Sequence, residues 1–454
     1  MSELIISVSG VRGIIGDSLT PAVAMEMGQA FGELLKQTAV DDQLVAPIRV
    51  VIGRDSRVSG PMIQGAFSAG LMSVGVHVID LGITTTPSTA LMGRFLKADA
   101  AVVITASHNP PQYNGIKFIS HDGFAYPGQV INQLRGIYED AAWTVQTNDH
   151  VGSHCTDSRA HAHHVQTILQ LVDVKGIANQ RYRVVLDSIN GAGCAPSPML
   201  LGKLGVELAH VNNQATGRFA HPPEPTRENL TDLCQQVTRH RAAVGFAQDP
   251  DADRLAVVDE RGNYIGEEYT LALAVLSRVI VKPGIIVCNL STSRMVDDIA
   301  AKYNSTVIRT SVGEANVAAA MMEQQALIGG EGNGGVIDPR VGPVRDSLIG
   351  MALILELMTR MEKSLSQIVR TMPKYAMIKT KFSATRQEAD ALVQRVKSEF
   401  RDQKIDLQDG VRIDWPEGWV HVRPSNTEPI ARVIAEAADE STAQSLIARV
   451  EALK

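Results

Sequence analysis

A short β-branched run that ends in a polar turn occurs three times along the 454-residue chain, and a helical segment follows it each time. The three runs are VVIGRDSR (50–57), RVVLDSING (183–191) and IIVCNLSTSR (285–294). A second strand and then a third apolar strand follow in each copy. Strands separated by helices of this length favour right-handed βαβ crossovers in mainly parallel sheets. Three copies therefore predict three related α/β domains.

Residues 371–454 depart from this pattern. Residues 381–400 predict a strand and an amphipathic helix, and GVRID and GWVHVRP predict an antiparallel pair that a further strand and helix follow. We therefore expect an α/β protein in which three related mixed α/β domains with βαβ units and a smaller C-terminal α+β domain surround one central cleft. The expected domain ranges are 1–150, 151–256, 257–370 and 371–454.

The composition excludes several classes of protein. With a net charge of −6, nothing in the charge pattern predicts binding to nucleic acid or to an anionic membrane surface. The chain shows neither a secretory signal pattern nor an apolar run long enough to span a membrane, so we expect a cytoplasmic protein. The four cysteines lack a CxxC spacing, which predicts reduced thiols: Cys155, Cys194, Cys234 and Cys288.

An unusual polar loop follows the third strand of each repeat. These loops are TASHNPP (105–111), QDPDADR (248–254) and GEGNGG (330–335), and the C-terminal domain contributes a fourth, RPSNTEP (423–429). In open α/β sheets, ligands bind at the carboxyl ends of the strands. Equivalent strand ends with polar loops therefore predict one shared binding cleft.

The DPDADR loop places Asp249, Asp251 and Asp253 at alternate positions. On an extended or turning backbone these carboxylates point the same way and form a hard oxygen site suited to Mg²⁺. An EF-hand loop with Glu260 at position 12 is excluded, because Arg254 stands where the sharp-turn glycine belongs. A solvated acidic turn remains the alternative for this loop taken alone.

In TASHNPP, Ser107 is the candidate nucleophile or phosphate carrier, with His108 beside it. A serine hydrolase is not indicated, since no G-x-S-x-G motif surrounds Ser107. A capping serine in a proline-stiffened turn is the alternative. Asn114 and Gly115 form a turn pair that would return Lys117 toward the loop.

The other two loops carry groups suited to a sugar phosphate. Arginine, hydroxyl and amide groups in a turn with free backbone N–H groups predict binding of a dianionic phosphate. The candidate phosphate-binding residues are Arg423, Ser425, Asn426 and Thr427. In GEGNGG, the glycines allow close approach of a ligand, which leaves Glu331 and Asn333 as hydrogen-bond partners for a polyol. Ordinary turns remain the alternative for both loops. Together, the four loops predict phosphoryl transfer on a sugar phosphate.

The order of these motifs resembles the α-D-phosphohexomutase family over essentially the whole chain. TASHNPPQYNGIKF resembles its phosphoserine loop, DPDADR its metal loop, GEGNGG its sugar-binding loop and RPSNTEP its phosphate-binding loop. The SGVRGIIG segment (9–16) resembles the N-terminal active-site segment of the family, which would make Arg12 a phosphate contact.

The resemblance implies a phosphorylated Ser107 whose phosphate completes the Mg²⁺ shell of the three aspartates. The phosphoryl group would pass to a hexose or hexosamine phosphate, and hexose 1,6-bisphosphate would serve as intermediate and activator. Arg12, Arg254 and Lys117 would neutralise charge, and His108 and Lys117 are the candidates for proton transfer. We expect a monomer or a homodimer.

One position departs from the family pattern, and two motifs bear on the substrate. Many bacterial members end the sugar loop as G-E-x-S-G-H, whereas this chain has Asn333 and Gly335 at the serine and histidine positions. The NGIKFIS segment resembles the phosphoglucosamine mutase branch, and SNTEP resembles the phosphomannomutase/phosphoglucomutase branch. We expect glucosamine 6-phosphate as the substrate, with mannose or glucose phosphate as the alternative. A catalytically silent sugar-phosphate-binding protein is the alternative from another class.

A histidine-rich stretch, residues 150–164, lies where the first and second domains are expected to join. His161, His163 and His164 could in principle bind a metal ion. The flanking alanines and serine favour a solvated start of a helix instead.

Overall fold

The computed structural model describes residues 3–41, 47–425 and 430–454. The first domain contains a seven-stranded mixed sheet in the order β1-β2-β6-β5-β3-β4-β7, in which β3, β4, β5 and β7 run parallel. Its strands are β1 (Ile5–Ser7), β2 (Gly10–Ile14), β3 (Arg49–Arg54), β4 (His77–Ile83), β5 (Ala100–Ile104), β6 (Tyr113–Ser120) and β7 (His154–Thr156). Its helices are α1 (Pro21–Asp41), α2 (Gly60–Ser73), α3 (Thr86–Phe95) and α4 (Gly128–Glu139).

Alternate residues of the central strands of this sheet are buried on opposite faces. Val50 and Val102 pack in one apolar cluster with side chains of α1, α2 and α4, whereas Val51 and Val103 pack in a second cluster with side chains of α3. Burial on both faces explains why these strands are continuously apolar rather than alternating.

The second and third domains each contain a four-stranded sheet with three parallel strands and one antiparallel edge strand. The second domain has the sheet order β11-β10-β8-β9, and the third has the order β13-β12-β14-β15. The second domain comprises α5 (Ala160–Leu169), α6 (Val174–Gln180), β8 (Arg183–Asp187), α7 (Pro196–Lys203), β9 (Glu207–Val211), α8 (Thr231–Arg239), β10 (Val244–Gln248) and β11 (Leu255–Asp259). The third comprises α9 (Glu267–Val279), β12 (Ile285–Asn289), α10 (Met295–Lys302), β13 (Thr306–Thr310), α11 (Glu314–Glu323), β14 (Ile328–Glu331), β15 (Gly335–Ile337), α12 (Ser347–Met361) and α13 (Leu365–Arg370).

The C-terminal domain is built on a five-stranded antiparallel sheet in the order β16-β20-β19-β18-β17. It comprises β16 (Ala376–Ser383), α14 (Arg386–Glu399), β17 (Lys404–Asp406), β18 (Val411–Asp414), β19 (Gly418–Pro424), β20 (Ile430–Ala437) and α15 (Glu440–Glu451). The predicted fold class, three α/β domains and a C-terminal α+β domain, is thus confirmed. Among the described residues, no helix combines the length and the apolar character that crossing a membrane requires.

Each of the three polar loops of the repeats joins a parallel strand to an antiparallel return strand. The pairs are β5 and β6, β10 and β11, and β14 and β15. The sequence analysis does not predict β6 or β15, because Asn114, Gly115 and Gly335 weaken their strand signal. Each loop is therefore the tip of a β-hairpin, and the two paired strands hold both ends of the loop in place.

The second and third domains share one apolar core. Side chains from β10, such as Phe246, belong to the same buried cluster as Leu273 of α9 and Leu353 of α12. Helix α12 is buried along most of its length and packs against α9 of the third domain and α5, α6 and α7 of the second. These two domains are therefore joined by apolar packing.

His164 contradicts the expectation of a solvated helix start. Its side chain is fully buried, because α5 packs against α3, α7 and α12. His164 Nδ1 lies 2.8 Å from Ser88 Oγ of the first domain, and His164 Nε2 lies 2.8 Å from Asp346 Oδ2 of the third. His161 and His163 remain partly exposed. The buried histidine therefore joins three domains through hydrogen bonds.

Polar contacts attach the C-terminal domain to the third. His421 of β19 is 1% exposed, and its Nδ1 lies 2.8 Å from Ser291 Oγ. The other ring nitrogen, Nε2, donates to the Asp409 carbonyl at 2.6 Å, and in the neutral ring Nδ1 accepts from the serine hydroxyl. Arg294 N donates to Glu436 Oε1 at 2.8 Å in the same interface.

We predict that protonation of His421 loosens this interface at acid pH. Burial is the main cause that lowers the pKa of His421 to about 4 in the folded protein. The histidine of the unfolded chain has a pKa of about 6.5. Between about pH 6.5 and pH 4, the unfolded chain is therefore protonated at this histidine, whereas the folded chain is not. Folding stability is therefore lost as the pH falls from about 6.5 to about 4, by roughly 2 kcal/mol between pH 7 and pH 5.

The measurement is urea unfolding of the C-terminal domain signal at several pH values, for the wild type and His421→Gln. The glutamine variant does not titrate in this range, so its stability should change less with pH. The same dependence on pH in both proteins would contradict the prediction.

Candidate active site

The three predicted metal ligands lie together in the hairpin loop between β10 and β11. Asp249, Asp251 and Asp253 are fully buried, and one carboxylate oxygen from each lies within 4.8 Å of the others. Asp251 Oδ1 and Asp253 Oδ1 have no hydrogen-bond partner among the described residues. Buried carboxylate oxygens without partners are suited to a hard divalent cation, so the donor set fits Mg²⁺.

Burial and neighbouring charges shift the pKa values of Asp249 and Asp253 in opposite directions. Burial, and then the charges of Asp253 and Asp251, raise the pKa of Asp249 well above its usual value. Asp253 is also buried, which opposes its ionisation, but the charges of Arg345 and Lys117 hold its pKa below the usual range. The nearby cations thus balance part of the cluster, and a bound metal ion would stabilise the ionised form of Asp249.

Ser107 lies at the tip of the hairpin between β5 and β6, directly against this cluster. Its Oγ donates to Asp249 Oδ2 at 2.9 Å and lies 3.3 Å from His108 Nδ1. The side chain is buried and the backbone has a φ of +48°, which is unfavourable for a residue with a Cβ. The surrounding structure must hold this strained conformation, as is common at functional sites.

Arg57 holds the Ser107 loop, and the sequence analysis did not identify it. Its guanidinium is 1% exposed, and Nε donates to Asp55 Oδ2 at 3.1 Å. Its two terminal nitrogens donate to four loop carbonyls, those of Ser107 (2.7 Å), Asn109 (2.6 Å), Pro110 (2.9 Å) and Tyr113 (2.9 Å). The signal was available, because GRDSR puts Arg57 after the first strand of the same repeat.

Arg12, His108 and Arg254 surround the serine and the aspartates. Arg12 Nη1 donates to Asn109 Oδ1 at 3.1 Å, and Arg254 N donates to Asp249 Oδ1 at 3.1 Å. Burial, and then the charges of Arg254 and Arg12, lower the pKa of His108 to about 2. His108 is therefore neutral in this arrangement.

Lys117 reaches the cluster by a different route from the one expected. Asn114 and Gly115 lie within strand β6 and do not form a turn. A glycine is needed at position 115 because a Cβ there would lie 2.4 Å from the Val11 carbonyl oxygen. Strand β6 carries Lys117 Nζ to 2.6 Å from Asp251 Oδ2 and 3.1 Å from Asp253 Oδ2. Burial opposes the charged form, but these two carboxylates raise the pKa of Lys117 above its usual value.

The hairpin loop between β14 and β15 places Glu331 next to the aspartates. Glu331 Oε1 accepts from Asn289 Nδ2 at 2.8 Å and from Gly313 N at 3.1 Å. Glu331 Oε2 accepts from Arg345 Nη1 at 2.9 Å, and the same guanidinium donates to Asp253 Oδ2 at 2.7 Å. Sequence analysis missed Arg345 because it lies in an irregular segment outside the repeat and its motifs. Asn333 lies in the same loop, where its Nδ2 is 3.4 Å from Glu331 Oε2.

The fourth loop is only partly described. Arg423 lies one residue before the end of β19, where its Nη1 is 3.9 Å from Asp409 Oδ2, and the charge of Glu331 acts on its guanidinium. The Ser425 N–H donates to the Ile430 carbonyl at 2.9 Å. The other two predicted phosphate-binding residues, Asn426 and Thr427, lie outside the described residues.

Side chains from three of the four loops and from Arg12 hold buried polar atoms that lack a hydrogen-bond partner among the described residues. These atoms are Arg12 Nε, Asp251 Oδ1, Asp253 Oδ1, Arg254 Nε, Asn333 Oδ1 and Arg423 Nε. Buried polar groups are normally paired, and leaving one unpaired costs about 1–3 kcal/mol. Their concentration around Ser107 therefore indicates a site for a ligand with both anionic and hydroxyl groups.

We predict that Asp249→Asn loses the stabilisation that Mg²⁺ gives the wild type. An amide is a weaker Mg²⁺ ligand than a carboxylate, whereas the variant tolerates the metal-free state because its side chain is uncharged. At a Mg²⁺ concentration 100-fold above Kd, the free energy of unfolding of the wild type should rise by about 2.7 kcal/mol. Because the pKa of Asp249 is raised, Mg²⁺ must displace a proton, and its affinity should increase with pH.

Thermal unfolding with and without Mg²⁺, at acid and alkaline pH, measures this effect. Asp259→Asn is the matched control, since Asp259 is a buried carboxylate of the same domain that binds the backbone N–H groups of Arg261 and Asn263. This control should lose stability but keep the Mg²⁺ effect. An equal Mg²⁺ effect in Asp249→Asn would overturn the prediction.

Comparison with known proteins agrees with this geometry. Four family profiles match in succession, namely Phosphoglucomutase/phosphomannomutase alpha/beta/alpha domain I (residues 4–144), domain II (162–262), domain III (266–375) and the C-terminal domain (378–453). A protein of Thermococcus kodakarensis named "Phosphoglucomutase/phosphomannomutase" is 38% identical and matches over 96% of this chain and 95% of its own length. One of Methanopyrus kandleri named "Probable phosphoglucosamine mutase" is 35% identical and matches over 96% of this chain and 95% of its own length.

A solved structure gives the same result for the whole fold. The crystal structure of a phosphoglucomutase/phosphomannomutase family protein from Burkholderia thailandensis has a TM-score of 0.87 and 27% identity, and the match covers 100% of this chain and 97% of that chain. Profiles, relatives and fold agree along the entire chain. The chain therefore belongs to the phosphoglucomutase/phosphomannomutase family of α-D-phosphohexomutases.

Proposed function

We propose that this chain interconverts the 6-phosphate and the 1-phosphate of a hexose through a phosphoserine at Ser107. The phosphoryl group leaves Ser107 Oγ, which takes up a proton, and bonds to the free hydroxyl oxygen of the sugar phosphate, which gives up its proton. The product is a hexose 1,6-bisphosphate that turns over within the cleft. Its other phosphoryl group then breaks its bond to the sugar oxygen and bonds to Ser107 Oγ, which gives up its proton, and the released sugar oxygen takes up a proton.

The observation that carries this proposal is the contact between Ser107 Oγ and Asp249 at 2.9 Å, inside a buried carboxylate cluster. A hydroxyl held against potential metal ligands is placed for phosphoryl transfer, which depends on positioning and charge neutralisation. Mg²⁺ held by Asp249, Asp251 and Asp253 would neutralise charge on the phosphoryl group. The rigid support from Arg57 fixes the serine for this purpose.

The remaining side chains around the cluster divide the other tasks. A phosphoserine carries about −1.5 to −2 charges, which the side chains of Arg12, Arg254 and Lys117 offset. Proton movement to and from the sugar hydroxyls falls to His108, which is 3.3 Å from Ser107 Oγ, or to Lys117.

Binding of the sugar and its distal phosphate is assigned to the other two loops. Glu331 and Asn333 accept and donate hydrogen bonds to the sugar hydroxyls. Arg423 and Ser425, with Asn426 and Thr427, bind the phosphate that does not react in a given step. The unpaired Arg423 Nε and Asn333 Oδ1 support these assignments, because both atoms are buried without a partner among the described residues.

We propose glucosamine phosphate as the preferred substrate. The NGIKFIS segment and the name of the Methanopyrus kandleri relative support this choice. The second candidate is glucose or mannose phosphate, which the SNTEP segment and the name of the Thermococcus kodakarensis relative favour.

A ³¹P NMR time course with Mg²⁺ and a trace of hexose 1,6-bisphosphate tests the proposal. Glucosamine 6-phosphate, glucose 1-phosphate and mannose 1-phosphate run in parallel, and the fastest isomerisation identifies the substrate. Ser107→Ala lacks the oxygen that carries the phosphoryl group, so its rate should fall at least about 1,000-fold.

Ser120→Ala is the matched control, because Ser120 pairs with Ala100 at the opposite end of the β5–β6 hairpin from Ser107. Its rate should equal that of the wild type. Binding of all three sugar phosphates without isomerisation would refute the mutase and leave the silent binding protein.

A further inference from the structure

Arg345 occupies the space that a side chain at position 335 would need. A Cβ built on Gly335 would lie 2.2 Å from Arg345 Cδ and 2.9 Å from Arg345 Cγ. Gly335 does not have a positive φ, so the position needs a glycine for space and not for backbone conformation. The methylene stem of Arg345 therefore crosses the sugar loop where many bacterial family members carry a histidine.

The guanidinium of Arg345 cannot easily move out of this space. It forms ion pairs with three carboxylates from different segments: Asp253 of the metal loop (2.7 Å), Glu331 of the sugar loop (2.9 Å) and Glu314 at the start of α11 (3.3 Å). Its side chain is 9% exposed. Breaking a buried ion-pair network leaves charges unpaired, which opposes any displacement of the arginine.

The contact with Glu331 bears on the sugar. Asn289 and the Gly313 N–H hold Glu331 Oε1, so Arg345 is the charged partner that fixes the other oxygen, Oε2. The same guanidinium holds Asp253, so it sets the position of the sugar-binding carboxylate relative to the metal loop. A planar guanidinium with several donors can do this for two carboxylates at once.

We propose that Arg345 is a positioning residue that replaces the missing histidine of the sugar loop in shape, and that it fixes Glu331 against the metal loop for sugar binding. This inference rests on the proposed function. An arginine stays protonated, so it does not take over proton transfer from a histidine. Gly335 and Arg345 form one unit, because the stem of Arg345 fits only when position 335 carries no side chain.

The test compares Arg345→Met, Arg345→Lys and the control Arg340→Met. Arg340 lies in the same segment, but it pairs with Asp338. Among the described residues it makes no hydrogen bond or ion pair with the metal or sugar loops. We expect Arg345→Met to lower kcat/KM about 100-fold, with a rise in KM of about 10-fold, since Glu331 loses its orientation. Arg345→Lys should recover part of this loss, and Arg340→Met should behave as the wild type.

A binding measurement separates positioning from folding. Titration calorimetry of glucosamine 6-phosphate and glucose 1-phosphate, on proteins that also carry Ser107→Ala, should show affinity about 10-fold weaker with Arg345→Met than without it. Mg²⁺ binding should persist, because removal of a cation from Asp253 does not remove a metal ligand. A lowered Tm with unchanged KM and unchanged affinity would show a purely structural ion pair and overturn the inference.

A double-mutant cycle gives an independent test, also if Arg345→Met fails to fold. Gly335→Ala should reproduce the kinetic loss of Arg345→Ala, because its Cβ displaces the arginine. The variant with both substitutions should be no worse than Arg345→Ala alone, whereas additive losses would overturn the proposed unit. If the wild type itself does not isomerise any sugar phosphate, the proposed function fails, and the affinities still decide the role of Arg345.

Discussion

The position of Ser107 depends on the buried guanidinium of Arg57. All five of its N–H groups are used, one by Asp55 and four by carbonyls of the loop that carries the serine. Phe219 of the second domain lies over the guanidinium, with 5.0 Å between the ring centroid and Cζ. These bonds offset the cost of the left-handed backbone at Ser107, so the loop is ordered before any ligand binds. The Ser107 hydroxyl thus belongs to a rigid hairpin tip.

Cationic side chains surround the hairpin tip that carries Ser107. The chain as a whole is acidic, with a net charge of −6, yet the space around Ser107 contains Arg12, Arg254 and Arg345. Lys117 of the first domain and Arg345 of the third both form an ion pair with Asp253. The positive charge is therefore a local property of the cleft, where low solvent access strengthens each electrostatic interaction.

The features that can be predicted from the sequence are those that a short local pattern encodes. Each strand and helix of the threefold βαβ pattern, the alternate aspartates and the Ser107 loop can be identified in a window of about ten residues, and the fold class follows from their order. Arg57, Arg345 and His164 each also bind a partner far along the chain, 50, 92 and 182 positions away respectively, which no local pattern encodes. The return strands β6 and β15 were not predicted for a related reason. Gly115 and Gly335 are glycines because neighbouring residues leave no space for a Cβ, and glycine has a low strand propensity.

The interface between the second and third domains and the interface with the C-terminal domain differ in how readily a domain could be exchanged during evolution. The second and third domains bury one continuous apolar cluster around α12, so a foreign copy of either would need complementary packing over its whole interface. The C-terminal domain has its own apolar clusters and contacts the third domain through hydrogen bonds and ion pairs. Recombination between relatives would therefore preserve the central pair of domains as one inherited block, while a C-terminal domain with a different sequence at positions 423–429 could be acquired separately.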